Sequence, residues 1–221
     1  MMIIPKISKP ISSEQVLENR EDYDEARLEF NRQIENFRQA GYQKGVLSFF
    51  SASQTDFIQN ARKLNMDNSQ SNEKFDFLLV VPRNFRSIYD QMSSLGTVAR
   101  NITPLEISDV VACPNKPYCL YGLNTGVVED ATKSSVGQLK NQNHERLGLT
   151  DIEIISLFIQ FPELSKYQVF ATGSKVGKTA YPFLKKNDKG EIDLLSATDS
   201  YCGCGPMEKN LIVPSCQSRS L

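Results

Sequence analysis

The spacing of the apolar residues changes along the chain, and this change constrains the fold more than any single motif. Over Glu18–Ala40 the apolar residues recur every three or four positions, which predicts an amphipathic helix ending at the C-cap residue Gly41. A capping-box pattern at Ser12 and Gln15 predicts that this helix begins near Ser13. The opposite face carries a run of charged residues, which is typical of a solvated helix surface.

Shorter patterns follow, and they indicate both helices and strands. The predicted helices are Ser53–Leu64, Phe85–Leu95, Val136–His144 and one running from the Thr150–Glu153 capping box to about Gln160. The predicted strands are Phe75–Val81, Tyr118–Leu123, Tyr167–Ala171, Thr179–Lys185 and Glu191–Leu195, with a hairpin turn at Asn187–Gly190. This order predicts an α+β fold, in which N-terminal helices precede a mixed, partly antiparallel sheet with packed helices. We expect a flexible leader at residues 1–12 and a single α+β domain over residues 13–221.

The composition excludes several classes of function. The chain has 221 residues, of which 40% are hydrophobic, so it is long enough to bury a sizeable core. Its formal net charge is -1, whereas proteins that bind nucleic acid or anionic membranes usually carry a strong excess of positive charge. We therefore expect neither as a partner. The first apolar run stops at Pro5, and the longest, Ile154–Phe161, is too short to cross a bilayer. We therefore expect a soluble, cytoplasmic protein.

A string near the C-terminus, Gly173-Ser174-Lys175-Val176-Gly177-Lys178-Thr179, is similar to a phosphate-binding loop but departs from it twice. Only three residues separate its two glycines, where the motif needs four. A phosphate loop also opens a helix, whereas Pro182 would stop a helix here after its first turn. We therefore predict a glycine-rich turn between two strands, whose lysines and backbone amides bind an anion. The predicted ligand-binding residues are Gly173, Ser174, Lys175, Gly177 and Lys178.

The cysteines suggest a second kind of site. Their number is five, and an odd count without a signal peptide indicates free thiols rather than a disulfide framework. Neither close pair has the common spacing of a zinc site, so we assign no metal ligand and no cofactor. Cys202 and Cys204 lie in a glycine-containing turn and are candidate nucleophiles, since backbone amides there can stabilise an oxyanion. The candidate bases are His144, the only histidine, and Glu208.

The order of the short motifs resembles that of a bacterial family known only as a domain of unknown function. The shared motifs are a Leu-Thr helix start at Leu147–Thr150, a Pro-Glu helix end at Phe161–Leu164, a Gly-Ser-Lys-x-Gly turn at Gly173–Gly177 and a cysteine-containing tail from Cys202. Lys175 stands where the family has arginine, the tail has no tryptophan, and Glu208 stands about where a histidine is expected. The likeness covers roughly residues 28–216 and implies a bacterial protein, but it implies no activity.

Three functions follow from these patterns. The first is the binding of a small anionic ligand or a protein partner through the turns Gly173–Lys178 and Tyr201–Pro206, where glycines allow close approach of the backbone. The second is a cysteine-dependent enzyme with Cys202 or Cys204 as its nucleophile. The third is a structural module stabilised by a metal. The placement of the cysteines, His144 and Lys175 in space distinguishes between them.

Overall fold

A computed structural model describes residues 13–67, 77–99, 102–125, 135–142, 146–201 and 211–221. The helices in these ranges are α1 (Ser13–Gln39), α2 (Lys44–Ala52), α3 (Gln54–Asp67), α4 (Ile88–Ser94), α5 (Val136–Gln142) and α6 (Asp151–Gln160). The strands are β1 (Phe77–Val80), β2 (Thr97–Ala99), β3 (Ile107–Asp109), β4 (Tyr118–Tyr121), β5 (Leu147–Gly148), β6 (Gln168–Phe170), β7 (Ser174–Val176), β8 (Ala180–Lys186), β9 (Ile192–Thr198), β10 (Leu211–Ile212), β11 (Ser215–Cys216) and β12 (Ser218–Ser220). The predicted α+β class is confirmed.

The first three helices pack together through a cluster of aromatic rings. The buried apolar residues of α1 in the described part of the chain recur at the predicted helical spacing, and they are Ala26, Phe30, Ile34 and Phe37. The Phe37 ring stacks on Phe50 of α2 at 5.9 Å between centroids, and Phe30 lies 6.3 Å from Phe57 of α3. Because aromatic side chains bury large apolar areas, these contacts hold the helical layer together.

The C-terminal end of α1 has the predicted C-cap glycine, whereas no helix was predicted where α2 lies. Gly41 has φ 75°, and the N–H of Tyr42 donates to the carbonyl of Phe37 at 3.0 Å, which is the Schellman arrangement expected around a C-cap glycine. Before α2, the side chain of Gln43 makes no capping hydrogen bond, so no local signal marks the start of this helix. Its stability comes from the burial of Val46, Leu47 and Phe50.

One other helix begins later than predicted. α4 begins at Ile88 rather than Phe85, because the Ser87 hydroxyl accepts a hydrogen bond from the N–H of Asp90 at 3.2 Å and caps the helix there. α5 is described as far as Gln142, and His144, the predicted end of this helix, lies outside the described residues.

β1 separates two hydrophobic cores. It pairs with β4, which also pairs with β12, and both pairs are antiparallel. Phe77 and Leu79 pack with residues of α1, α2 and α3, whereas Leu78 and Val80 pack with residues of α6. Since both faces of the strand are covered, its sequence is a continuous apolar run rather than an alternating one.

The second sheet is organised around β8. This strand pairs antiparallel with β9 over residues 180–186, and its other edge pairs antiparallel with β6 and with β7. β3 extends the sheet beyond β7, while β10 and β2 add parallel pairs to β6 and β9. The sheet is therefore mixed, as predicted, and the predicted hairpin turn Asn187–Gly190 connects β8 to β9.

α6 lies between the two sheets and is buried on almost every side. Its apolar residues join one core with Leu78 of the first sheet and with Leu184 and Val169 of the second. These residues are Ile152, Ile154, Ile155, Leu157 and Phe158. A helix that is apolar all round is typical of a buried position. The polar residues Asp151 and Glu153 in its first turn are carried into the interior with it, where each needs a partner.

Candidate functional site

The string Gly173–Lys178 forms part of a β-hairpin. β7 occupies its middle, and Gly177, Lys178 and Thr179 form the exposed turn that leads into β8. No helix follows, and Pro182 lies within β8, so the arrangement differs from that of a phosphate loop. The prediction of one continuous turn from Gly173 to Lys178 is corrected, because β7 pairs with both β3 and β8.

Gly173 packs against backbone rather than facing solvent. Its N–H donates to the carbonyl of Leu149 at 2.8 Å, and its own carbonyl accepts from the N–H of Val110 at 2.8 Å. A Cβ at this position would collide with the carbonyl oxygen of Gly148 and lie 3.0 Å from that of Leu149. Close packing between two chain segments therefore accounts for this glycine.

Ser174 belongs to a polar cluster at the start of α6. Its hydroxyl donates to Oδ1 of Asp109 at 2.7 Å and accepts from the N–H of Asp151 at 3.1 Å. Arg83 pairs with both carboxylates, at 3.3 Å from Asp109 and more closely with Asp151. The serine thus links β7 to β3 and to α6, and its hydroxyl is occupied by protein groups.

The carboxyl group of Asp151 is fully buried in this cluster. Desolvation raises its pKa to about 6, although Arg83 acts in the opposite direction, and the Asp109 carboxylate adds to the rise. The folded chain therefore holds a proton on Asp151 at pH values where an unfolded chain, with a pKa of 3.8, has lost it.

We predict that the free energy of unfolding falls by about 3 kcal/mol between roughly pH 4 and pH 6 because of Asp151. The folded state binds more protons than the unfolded state in this window, so rising pH favours unfolding, and the effect is complete above the folded pKa. In Asp151→Asn this loss is absent, so the variant gains stability relative to the natural chain as the pH rises. Urea unfolding at several pH values measures the difference, with Asp188→Asn at the exposed hairpin turn as control. Parallel curves for the natural chain and Asp151→Asn would contradict the prediction.

Glu153, in the same first turn of α6 as Asp151, is the centre of a second polar cluster. Its carboxylate accepts from Nε and Nη2 of Arg219 at 2.6 and 2.8 Å, and from the Tyr118 hydroxyl at 2.7 Å. It also accepts from the N–H of Thr150 at 2.7 Å, which is the contact that the predicted capping box requires of Glu153. The Arg219 and Glu153 side chains are 4% and 0% exposed, so this is a buried ion pair.

The described cysteines do not provide a reactive thiolate. Burial raises the pKa of the Cys113 thiol to about 11 and that of Cys216 to about 12, and it raises the pKa of Cys119 further. The three thiols are free of disulfides, and all are protonated near neutral pH. Cys202, Cys204 and His144 lie outside the described residues, so their role as nucleophile and base stays a prediction.

We predict that Cys113, Cys119 and Cys216 react slowly with iodoacetamide in the native protein at pH 7.5. The reason is that alkylation needs the thiolate, which their raised pKa values disfavour. Peptide mass spectrometry over a time course measures each rate, with the urea-unfolded chain as the fast reference. A rapidly labelled Cys202 or Cys204 would support the cysteine-enzyme hypothesis, whereas rapid labelling of Cys113 would contradict the protonated state assigned to it.

The two lysines of the predicted site lie beside a third lysine that the sequence did not single out. Lys140, in the last turn of α5, donates from Nζ to the Tyr181 hydroxyl at 2.9 Å. Nζ of Lys175 lies 5.4 Å from the centre of the same ring and donates to the carbonyl of Lys178 at 3.2 Å. None of the three lysines forms an ion pair with a carboxylate in the part of the chain that the structure describes. We call Lys140, Lys175 and Lys178 the lysine cluster.

The residues missed by sequence reasoning carry little local signal. Lys140 is an ordinary basic residue near a helix end, and Tyr181 is an ordinary aromatic residue of a strand. Arg83 and Arg219 contact residues that lie 24 to 71 positions away along the chain, so spacing cannot identify them. Only the Thr150–Glu153 capping box points to part of this region, because it places Glu153 in the first turn of a helix.

Within the described ranges, no three His, Cys, Asp or Glu side chains are grouped so that they could hold a metal ion. No helix in the same ranges combines the length and the apolar character needed to cross a membrane. We compared the chain with protein-family models, with curated proteins and with solved structures, and found no match in any of them.

Proposed function

We propose that the protein binds a small phosphate- or carboxylate-bearing ligand at the lysine cluster. The observation that carries this proposal is the position of two ammonium groups, Lys140 and Lys175, within 5.4 Å of the centre of one tyrosine ring. Lys178, on the exposed turn beside them, adds a third positive charge. Lys140 and Lys175 bring two positive charges to one ring, and an anion that contacts both would lower their mutual repulsion.

The surroundings of the cluster support binding of an anion. The Tyr181 side chain is 1% exposed, so it forms a rigid apolar base for the two flanking ammonium groups. Its hydroxyl already accepts a hydrogen bond from Lys140, which holds that long side chain in place. An ammonium group has three N–H donors, so Lys140 and Lys175 keep donors for a ligand in addition to the bonds described.

The proposed site is smaller than the one predicted from the sequence. Gly173 and Ser174 are buried and bonded to protein groups, so they position β7 rather than contact a ligand. Lys175, Gly177 and Lys178 are at least partly accessible and form the hairpin side of the site.

Isothermal titration calorimetry with inorganic phosphate and with citrate tests the proposal. We expect Lys175→Ala, Lys178→Ala and Lys140→Gln each to weaken binding by about threefold to fivefold, the worth of one exposed charge contact. Added sodium chloride should also weaken binding to the natural chain, because salt screens the attraction between the lysines and the anion. Lys189→Ala is the matched control, since Lys189 is an exposed lysine on the turn between β8 and β9. The proposal would be contradicted if neither anion binds, or if Lys189→Ala loses as much affinity as the variants of the lysine cluster.

A further inference from the structure

An open cavity of about 950 Å³ lies where α1, the end of α4 and the C-terminal end of α6 meet. Small-molecule sites have volumes of about 300–1,000 Å³, so its size suits an organic ligand. The described residues that line it lie outside α5, β7 and β8, so this cavity is separate from the lysine cluster. Its apolar walls are formed by Leu95, Leu123, Phe158, Ile159 and Phe161.

The polar wall of the cavity is held by its own hydrogen bonds. Arg32 donates from Nε and Nη2 to the Glu29 carboxylate, each at 2.6 Å, and from Nη1 to the carbonyl of Gln160 at 2.9 Å. The Asn36 amide donates to Oε1 of Gln160 at 3.1 Å. The Arg32 guanidinium also lies 5.2 Å from the centre of the Phe161 ring. A wall that is ordered before binding lowers the entropy lost when a ligand enters.

The charges around the cavity leave one carboxylate in excess. The ionised residues that line it are Glu29, Arg32 and Glu163. Two charge-assisted bonds from Arg32 to Glu29 make these two a neutral pair. Glu163 is exposed and its charge acts on Arg32 at longer range, but no basic residue in the described ranges lies within ion-pair distance of it. The cavity therefore presents apolar walls with a net negative charge at one side.

We propose that this cavity binds a small organic cation with an apolar body, such as an arylalkylamine or an aromatic amidine. The apolar walls contact the body of the ligand, while the Glu163 carboxylate pairs with its positive group. An anionic ligand is disfavoured, because the guanidinium of Arg32 already pairs with Glu29 and the remaining charge is negative. A neutral ligand of the same shape would keep the apolar contacts and lose the pairing.

Benzamidine and benzamide test this proposal, since they share a shape and differ in charge. In an NMR titration of the full chain, we expect benzamidine to shift the amide signals of Ile159, Gln160 and Phe161. It should bind about threefold to fivefold more tightly than benzamide, the worth of one exposed ion pair. Glu163→Gln should bring the two affinities together. Glu25→Gln, an exposed glutamate of α1 that does not line the cavity, should leave the preference unchanged.

Other outcomes would overturn the proposal. If neither compound shifts these signals at millimolar concentration, the cavity is not a site for organic cations. Equal affinities in the natural chain, or a preference for benzamidine that survives Glu163→Gln, would show that Glu163 does not select the ligand. The thermal unfolding of Glu163→Gln checks that its fold is intact, and we expect it to match that of the natural chain because the side chain is exposed.

Discussion

Replacing Glu153 with glutamine is expected to lower the free energy of unfolding by about 3–5 kcal/mol, because it leaves a buried guanidinium without its counter-charge. The Arg219 side chain is 4% exposed, so water cannot replace the lost partner. Nη1 of Arg219 has no hydrogen-bond partner in the described structure. The Glu153 carboxylate therefore provides most of the interactions that offset the desolvation of this guanidinium. Urea unfolding at neutral pH, followed by circular dichroism, measures the change.

Two further variants separate the loss of a buried charge partner from a general effect of substitution. Glu35→Gln removes an ion pair of α1 whose side chains are 47% and 60% exposed, and it should cost at most about 1 kcal/mol. The double variant Glu153→Gln with Arg219→Met contains no uncompensated charge, so it should be more stable than Glu153→Gln alone. If Glu153→Gln and Glu35→Gln cost the same, the buried pair does not contribute as we describe.

Replacing Phe57 with alanine is expected to cost about 3–5 kcal/mol, the usual cost of removing a buried aromatic side chain. Phe57 is 1% exposed, and its ring lies 6.3 Å from Phe30 of α1 and 6.1 Å from Phe50 of α2. It therefore joins three helices, and its removal leaves a cavity that the surrounding rings cannot fill. The midpoint of urea unfolding should fall accordingly.

A matched variant on the surface of the same layer provides the control. Leu28 of α1 is 69% exposed, so Leu28→Ala should change the free energy of unfolding by no more than about 0.5 kcal/mol. If Phe57→Ala proves as mild as Leu28→Ala, the aromatic cluster does not hold the three helices together. A loss of helical signal in Phe57→Ala before urea is added would indicate a larger effect than we expect.

The elements that could be predicted from the sequence are those with strong local signals. α1 has a helical repeat of apolar residues and a C-cap glycine, α6 has a capping box, and the β8–β9 hairpin has a turn rich in Asn, Asp and Gly. α2 lacks a side-chain cap and was missed. The two-residue strands β5, β10 and β11 were missed because they are too short to show an alternating pattern.

The candidate site was only partly predictable. The glycine-rich string contains Lys175 and Lys178, which lie in the hairpin that forms part of the proposed site. The string did not show that Gly173 and Ser174 are buried, because that depends on the packing of β7 against β3 and the start of α6. Lys140 joins the cluster from a helix about 35 residues earlier, at a separation that no local pattern encodes.

The sequence alone predicts the α+β class, most of the helices and the hairpin, because short-range periodicity, caps and turn residues are local properties of the chain. It also determined that the string at residues 173–179 would not open a helix, because Pro182 follows it. The three-dimensional packing shows which polar residues are paired in the interior and which lysines lie around Tyr181. The physical reason is that burial and pairing depend on segments far apart in the chain, which meet only when the sheets close around α6.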